Sequence, residues 1–501
     1  MADTDIRTDT GSARVPAAAI LRPEDSRIIW LLLAAAFVAI LNETTMGVAI
    51  PHLIGDLGIT AVAAQWLTTA FMLTMAVVIP ITGFLLRRFT TRAMFITAMS
   101  LFSAGTLIAF LSPGFEMLLV ARVVQASGTA IMMPLLMTTI MTIVPPQSRG
   151  RMMGRVSIVM ALAPAIGPTM SGLLLDTVGW RWIFGIVLPI ALISLGVGAR
   201  WIHNLGETSR APIDVLSVIL SAFGFGGLVF GLSQIGGGGH GGGADAATPS
   251  SLPLIISLSV GVISLVLFAW RQVRLQRSDD ALLDLRVFRS TNFALSIGQM
   301  AVMSMAFFGA ITLLPLYMQT VLDVSALETG LVVLPGSLAM GFAGPFVGRI
   351  YDRYGTRVLL VPGSIITVGM LWFFTSFGAT TPIWVIAVAQ TILSIGLALS
   401  FTPLFTASLG SLVPRFYAYG SAVLGTVQQV AGAAGVALLI TIMSSVTATN
   451  AAAGADELSA GAAGAQAAFL VAAIVSLPLL VGAWLIRKPA DQQGEHAPMA
   501  H

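Results

Sequence analysis

The 501-residue sequence has no cysteine and one lysine, Lys488. Without cysteine there can be no disulfide, no thiolate nucleophile and no Cys-based metal site. A phosphate-binding loop needs its lysine on the phosphates, and Lys488 lies outside any glycine-rich loop, so ATP hydrolysis is excluded. The histidines at 52, 203, 240, 496 and 501 show no HExxH or paired spacing, so neither a metal nor a cofactor is expected. Charge is scarce as well: 9% of the residues are charged, against roughly 25% in a soluble domain, which argues against a water-soluble enzyme. The glycine tract Gly236 to Gly243 is surrounded by no βαβ pattern and reads as a connector.

What the chain has instead is apolar length. Hydrophobic residues make up 56% of it and its mean hydropathy is +0.92. At about 20 residues per crossing, the apolar runs can be read as fourteen transmembrane helices. The expected organisation is a cytoplasmic tail over 1–27, a six-helix bundle over 28–202, two inserted helices over 213–270, a second six-helix bundle over 292–486 and a cytoplasmic tail over 487–501. With both termini cytoplasmic, 23 of the 25 basic residues fall on the inner side; Arg181 lies outside and Arg122 within a helix. One helix more or fewer would destroy that asymmetry, so the positive-inside rule supports fourteen. The same bias accounts for the net charge of +3 without nucleic acid. The chain also repeats: GFLLRRFTTR from Gly83 matches GRIYDRYGTR from Gly348, and Pro51 matches Pro315. Duplicated bundles with a site at their interface are a transporter architecture.

These motifs resemble the major facilitator superfamily, and within it the fourteen-helix drug:proton antiporters, over about Ile28 to Lys488. The loop signature GxxxDRxGxR is intact at Gly348, Asp352, Arg353, Gly355 and Arg357, whereas the first copy has Arg87 in place of the acid and Thr90 in place of the second glycine. LNETTMGVAIP (Leu41 to Pro51) is similar to the helix 1 signature, with Asn42 and then Glu43 after the leucine; the acid role carries over only onto Glu43. Arg122, Gln125 and Gly128 match the helix 4 motif. Ala163 to Gly172, with Pro164, Gly167, Pro168 and Gly172, is similar to the antiporter motif of helix 5. GWRWIF (Gly179 to Phe184) and QQVAGAAG (Gln428 to Gly435) are further marks of the subfamily. The resemblance implies a proton-coupled exporter in the cell membrane, working by alternating access of two bundles, with the helix 5 seam sealing the outer side.

Read physically, Glu43 is the one acid well inside an expected span, about 12 Å from its outer end at 1.5 Å per residue. An intramembrane carboxylate costs several kcal/mol unless it is paired, hydrated or protonated, which makes Glu43 a proton-carrier candidate; a fixed ion pair is the alternative. Arg122, the one base inside a helix, lies at about 9 Å by the same measure, so the two charges are expected to approach each other. Gln125, at i+3 from Arg122, is placed to bond substrate or Glu43. On helix 5, Ala163, Gly167 and Ser171 form a small-residue face. Asp352, beside Arg353 and near Arg357, is expected to latch the inner face. The 23 methionines fit either an adaptable lipophilic cavity or ordinary packing. The expected function is export of lipophilic, cationic or amphipathic compounds by a monomer, with small lipophilic substrates, protons and the lipid bilayer as partners. A lipid or lysolipid flippase is the rival reading, and a membrane-embedded enzyme a remote one, since no nucleophile, acid pair or metal set lies inside the helices.

Overall fold

The computed structural model describes residues 22–204, 214–237 and 252–489. Among them there is no β-strand, and fourteen helical segments are long and apolar enough to span a membrane. The first bundle comprises α1 (Pro23–Leu57), α2 (Ala61–Arg88), α3 (Thr91–Leu111), α4 (Phe115–Ile143), α5 (Arg149–Thr177) and α6 (Arg181–Trp201). The inserted pair is α7 (Val215–Gly237) and α8 (Leu252–Leu275). The second bundle comprises α9 (Thr291–Thr320), α10 (Ala326–Tyr354), α11 (Arg357–Phe374), α12 (Ile383–Gly410), α13 (Tyr417–Ala452) and a final span broken into α14 (Glu457–Ser476) and α15 (Pro478–Leu485). The break falls at Pro478, which has no N–H to continue the ladder.

Short polar signals set the helix ends. The Thr60 and Thr90 hydroxyls accept from the N–H of Ala63 and Ala93 and start α2 and α3. Ser325 and Glu328 form a reciprocal capping box at α10. Gly58, with φ +62°, closes α1 in the left-handed conformation that glycine adopts without strain. Both bundles also turn identically before their fifth helices: Pro146–Ser148 and Pro414–Phe416 are single 3-10 turns leading into α5 and α13.

The bundles meet along two seams, α5 against α10 and α2 against α13. The first is built from absent side chains. A Cβ on Gly154 would lie 2.2 Å from the Gly344 carbonyl oxygen, and one on Gly348 would lie 2.1 Å from that of Gly150, so only glycine permits this approach. Ser157 on α5 also shares a hydrogen bond of 2.7 Å with Thr402 on α12. On the second seam, Gly83 packs against Ala418, Ala422 and Tyr419, and the hydroxyls of Thr138 on α4 and Ser421 lie 2.9 Å apart. These contacts close the molecule at its arginine-rich end, where Arg87, Arg149 and Arg353 lie. α7 packs on both α2 and α13, across the second seam, and α8 packs on α7. The pair is tied by Arg271, whose Nε and Nη2 reach Asp214 at 2.6 and 2.8 Å. Those bonds, with that of Ser217, hold the Asp214 carboxyl below its ordinary range. The tie therefore contributes above the usual carboxylate pKa and is lost as pH falls through the lowered one.

Candidate functional site

Arg122 is the organising residue of the first bundle. It sits on α4 with 1% of its surface exposed, and the surrounding helices supply what a buried guanidinium requires. Nη1 donates to Asn42 Oδ1 on α1 at 3.1 Å and to Gln125 Oε1 at 2.7 Å, and Nε reaches the Leu67 carbonyl on α2 at 3.5 Å. The face of the guanidinium lies 4.1 Å from the centre of the Phe71 ring, a cation–π contact that leaves the donor edges free for oxygen. Gln125 Nε2 donates onward to Thr106 Oγ1 on α3 at 2.8 Å, and Thr106 donates to the Phe102 carbonyl at 2.7 Å. α3 and α4 come this close because Gly105 and Gly128 leave no room for a side chain: a Cβ on Gly105 would lie 2.5 Å from Gln125 N, and one on Gly128 2.4 Å from the Ala98 carbonyl oxygen.

Glu43 is the next residue along α1, about 100° round the helix from Asn42. It is partly buried and within electrostatic reach of Arg122. The described residues give Glu43 no hydrogen bond and no ion pair within 4 Å. The expected Glu43–Arg122 approach is therefore realised only through space, and the α1 side chain bonded to Arg122 is Asn42. Asn42 Nδ2 is buried without a hydrogen-bond partner, so the amide is held through its oxygen alone. Phe71, Thr106 and the Leu67 carbonyl also belong to the cluster, and no motif in the sequence marks them.

The helix 5 motif positions this part of α1. A Cβ on Gly167 would lie 2.3 Å from Thr44 Oγ1, and Ser171 Oγ donates to the Thr45 carbonyl at 3.0 Å. The small-residue face of α5 thus holds α1 in its own bundle, one residue from Glu43. Pro164 is partly buried, the Pro168 side chain lies outside the described residues, and a Cβ on Gly172 would meet nothing within 4 Å.

Asp352 bonds across the seam at the arginine-rich end, and its partners there are not Arg353 and Arg357. Its Oδ1 accepts from Gly150 N at 2.8 Å and its Oδ2 from Arg151 N at 2.9 Å, so an acid from α10 caps the start of α5 across the seam. A carboxylate there satisfies two orphan donors and meets the positive end of the helix dipole. Gly348 makes the room, as described above. Gly355, with φ +86°, ends α10 in a conformation that favours glycine, and Lys488 Nζ donates to the Asp352 carbonyl at 2.8 Å. Arg353 lies over the Tyr354 ring, and Arg357 begins α11. The first copy needs no such glycine, because Phe89 and Thr90 leave α2 with extended backbone and Thr90 caps α3. Asp352→Asn keeps the shape but loses the charge and one of the two acceptors, since its Nδ2 cannot accept from a backbone N–H. It should weaken the closed arrangement by about 1.5–3 kcal/mol, slowing turnover while substrate affinity in detergent stays nearly constant. A large loss of affinity at normal turnover would place Asp352 in the binding site instead.

Between the bundles, beyond the glycine seam, lies a small pocket of about 30 Å³, lined by Met137, Met153, Met160, Met340, Phe401 and Gln428 among others. Part of the methionine content thus lines an inter-bundle pocket.

The profile of the Major Facilitator Superfamily matches residues 32–436. An uncharacterized MFS-type transporter, YcnB of Bacillus subtilis, is 43% identical over 473 residues, 93% of this chain and 97% of that one. The lincomycin resistance protein LmrB of Bacillus subtilis is 40% identical over 91% of this chain and 95% of its own length. The multidrug resistance protein B homolog of Mycobacterium tuberculosis is 30% identical over 82% of this chain and 74% of its own. Among solved structures, the human organic anion transporter MFSD10 (TETRAN) superposes with a TM-score of 0.63 at 13% identity, covering 92% of this chain and all of that one; at that identity the likeness is one of fold.

Proposed function

The chain belongs to the major facilitator superfamily, it is a transporter and not an enzyme, and from that premise we propose that it exports lipophilic, amphipathic drugs in exchange for protons. The observation that carries the proposal is the contrast between two intramembrane charges within electrostatic reach of each other. Arg122 is bonded through Nη1 and Nε and stacked on Phe71, and it cannot shed its proton in a protein. Glu43 is held by no bond among the described residues, so it is the group free to exchange a proton or to face a cationic substrate. The methionines gathered between the bundles support a lipophilic cargo, since thioether side chains adapt to varied apolar shapes once the bundles part. The lincomycin resistance and multidrug resistance relatives support an amphipathic antibiotic as cargo. In this account the arginine-rich end faces the cytoplasm, so the closed seams belong to the outward-facing half of the cycle.

Two experiments bear on this. Proteoliposomes given an imposed pH gradient should accumulate lincomycin or a cationic dye against its concentration gradient, and collapse of the gradient by an ionophore should release it. Unchanged accumulation after collapse would refute proton coupling, and competition by added lysolipid would point to a flippase. For orientation, single cysteines can be placed in this cysteine-free chain at Ser278 and Ala453, both exposed. Ala453→Cys should react with an impermeant maleimide on intact cells, and Ser278→Cys only after permeabilisation. Labelling of Ser278→Cys from outside would invert the topology. The comparable sites Gly239 and Gln492 lie outside the described residues.

A further inference from the structure

The two seams are built on one plan, but only one has its acid. At α5 the cap is Asp352; at the matching end of α13 the first loop presents Arg87, a charge of the wrong sign for a helix N-terminus. The structure shows where Arg87 goes instead. Its Nη1 donates to Tyr419 OH on α13 at 3.0 Å, with the guanidinium 5.2 Å from the Tyr419 ring centre, and Tyr419 OH donates to the Ala281 carbonyl at 3.1 Å.

Ala281 belongs to the connection between α8 and α9, which is a packed strap and not a loose linker. Ala281, Leu282, Leu283, Asp284 and Val287 are each 5% exposed or less. Leu283 N donates to Gln272 Oε1 on α8 at 3.1 Å, and Gln272 Nε2 donates to Ser217 Oγ on α7 at 2.7 Å. The strap also carries acid to this corner. Buried Asp284 caps its single 3-10 turn by accepting from Arg286 N at 2.9 Å and pairs with the Arg286 guanidinium, whose Nη2 lies 2.7 Å from it. Arg286 also binds Asp279. That bond, the Arg286 charge, and more weakly those of Arg415 and Arg87, hold the Asp279 carboxyl below its ordinary range. Hydrogen bonds thus run from α2 through α13 and the strap to α8 and α7.

We infer that the strap 276–290, anchored on α7 and α8, latches the arginine-rich end of the α2–α13 seam, replacing the acid that the first loop lacks. The inserted helices then have a mechanical role: they hold the strap that decides how readily this seam parts. The inference rests on the alternating-access reading only in requiring that the seam opens at all.

The test uses the full chain with spin labels on cysteines introduced at Phe89 and Val413, both exposed, one in each bundle at this end. Pulsed dipolar spectroscopy in nanodiscs reads the distance between them. Wild type should show a dominant short population and a minor long one. Tyr419→Phe removes both hydroxyl bonds and keeps the ring; Gln272→Leu cuts the strap from α8; Asp284→Asn removes its buried charge. Each variant that folds should raise the ratio of long to short population roughly fivefold, the factor worth about one net hydrogen bond. If Tyr419→Phe shifts the populations while Gln272→Leu and Asp284→Asn do not, the strap is a bystander and Arg87–Tyr419 is the whole contact, which overturns the inference. A single distance in wild type under every condition would instead refute alternating access itself.

Discussion

Glu43→Gln is expected to leave a protein that folds, binds drug and cannot concentrate it. The amide has the shape of the protonated acid and is permanently neutral, so the resting structure has no reason to change. What is lost is the exchangeable charge. One proton moving down a gradient of about 1.7 pH units carries about 2.3 kcal/mol. At about 1.4 kcal/mol per tenfold that sustains a drug ratio of roughly 40. In proteoliposomes the ratio should fall from that order to unity, while drug exchange at equal concentrations on the two sides continues. Growth should agree: cells overexpressing the glutamine variant should be as drug-sensitive as cells without the transporter. Undiminished uphill pumping would mean that the proton travels elsewhere.

Arg122→Ala should be damaging for a different reason, and Arg122→Lys should not rescue it. Removing the guanidinium leaves Asn42 Oδ1 and Gln125 Oε1 without their donor in a site closed to water. Two unsatisfied buried acceptors cost about 1–3 kcal/mol each, and the void over Phe71 adds to this. The alanine variant should therefore unfold in detergent with roughly 2–6 kcal/mol less stability and lose export. Lysine keeps the charge but not the planar fork that serves two acceptors while stacking on an aromatic face. A lysine variant with wild-type thermal stability and transport would show that Arg122 acts as a point charge only. Gln125→Leu separates the partners further: it removes the bond to Thr106, and its effect should be smaller because Asn42 remains.

The distribution of legible and illegible features follows from the range of the forces involved. Fourteen spans could be read from apolar length, and the duplicated bundles from the Gly83 and Gly348 repeats, because both are properties of local sequence. Ends set by small or polar residues were harder: α14 begins at Glu457, capped by Asp456, before an alanine-rich stretch too weakly apolar to mark a start. α13 likewise runs on to Ala452 through serine, threonine and asparagine. Within the site, the shared face of Arg122 and Gln125 at i+3 is legible, but the sequence points Gln125 at substrate or Glu43, whereas it accepts from Arg122. Whether Asn42 or Glu43 meets Arg122 depends on the rotation of α1, and packing of Gly167 and Ser171 against Thr44 and Thr45 sets that rotation. The motif marks Asp352, yet its partners, the N–H groups of Gly150 and Arg151, are about 200 residues away in the chain. The strap was missed because its buried core, Ala281 to Asp284, is four residues long and flanked by charges.

The central claim is that one carboxyl group, Glu43, gives up its proton when drug binds. It can be tested without a membrane by adding drug to purified protein in weakly buffered detergent solution and following the pH with a dye. Linkage requires that a drug competing with a proton displace it, so wild type should release up to about one proton per drug bound across the pH range where Glu43 is protonated. The Glu43→Gln variant, a mimic of the protonated form, should bind drug more weakly than wild type, as measured calorimetrically in the same solution, and release no proton. Equal proton release from both proteins would contradict the account.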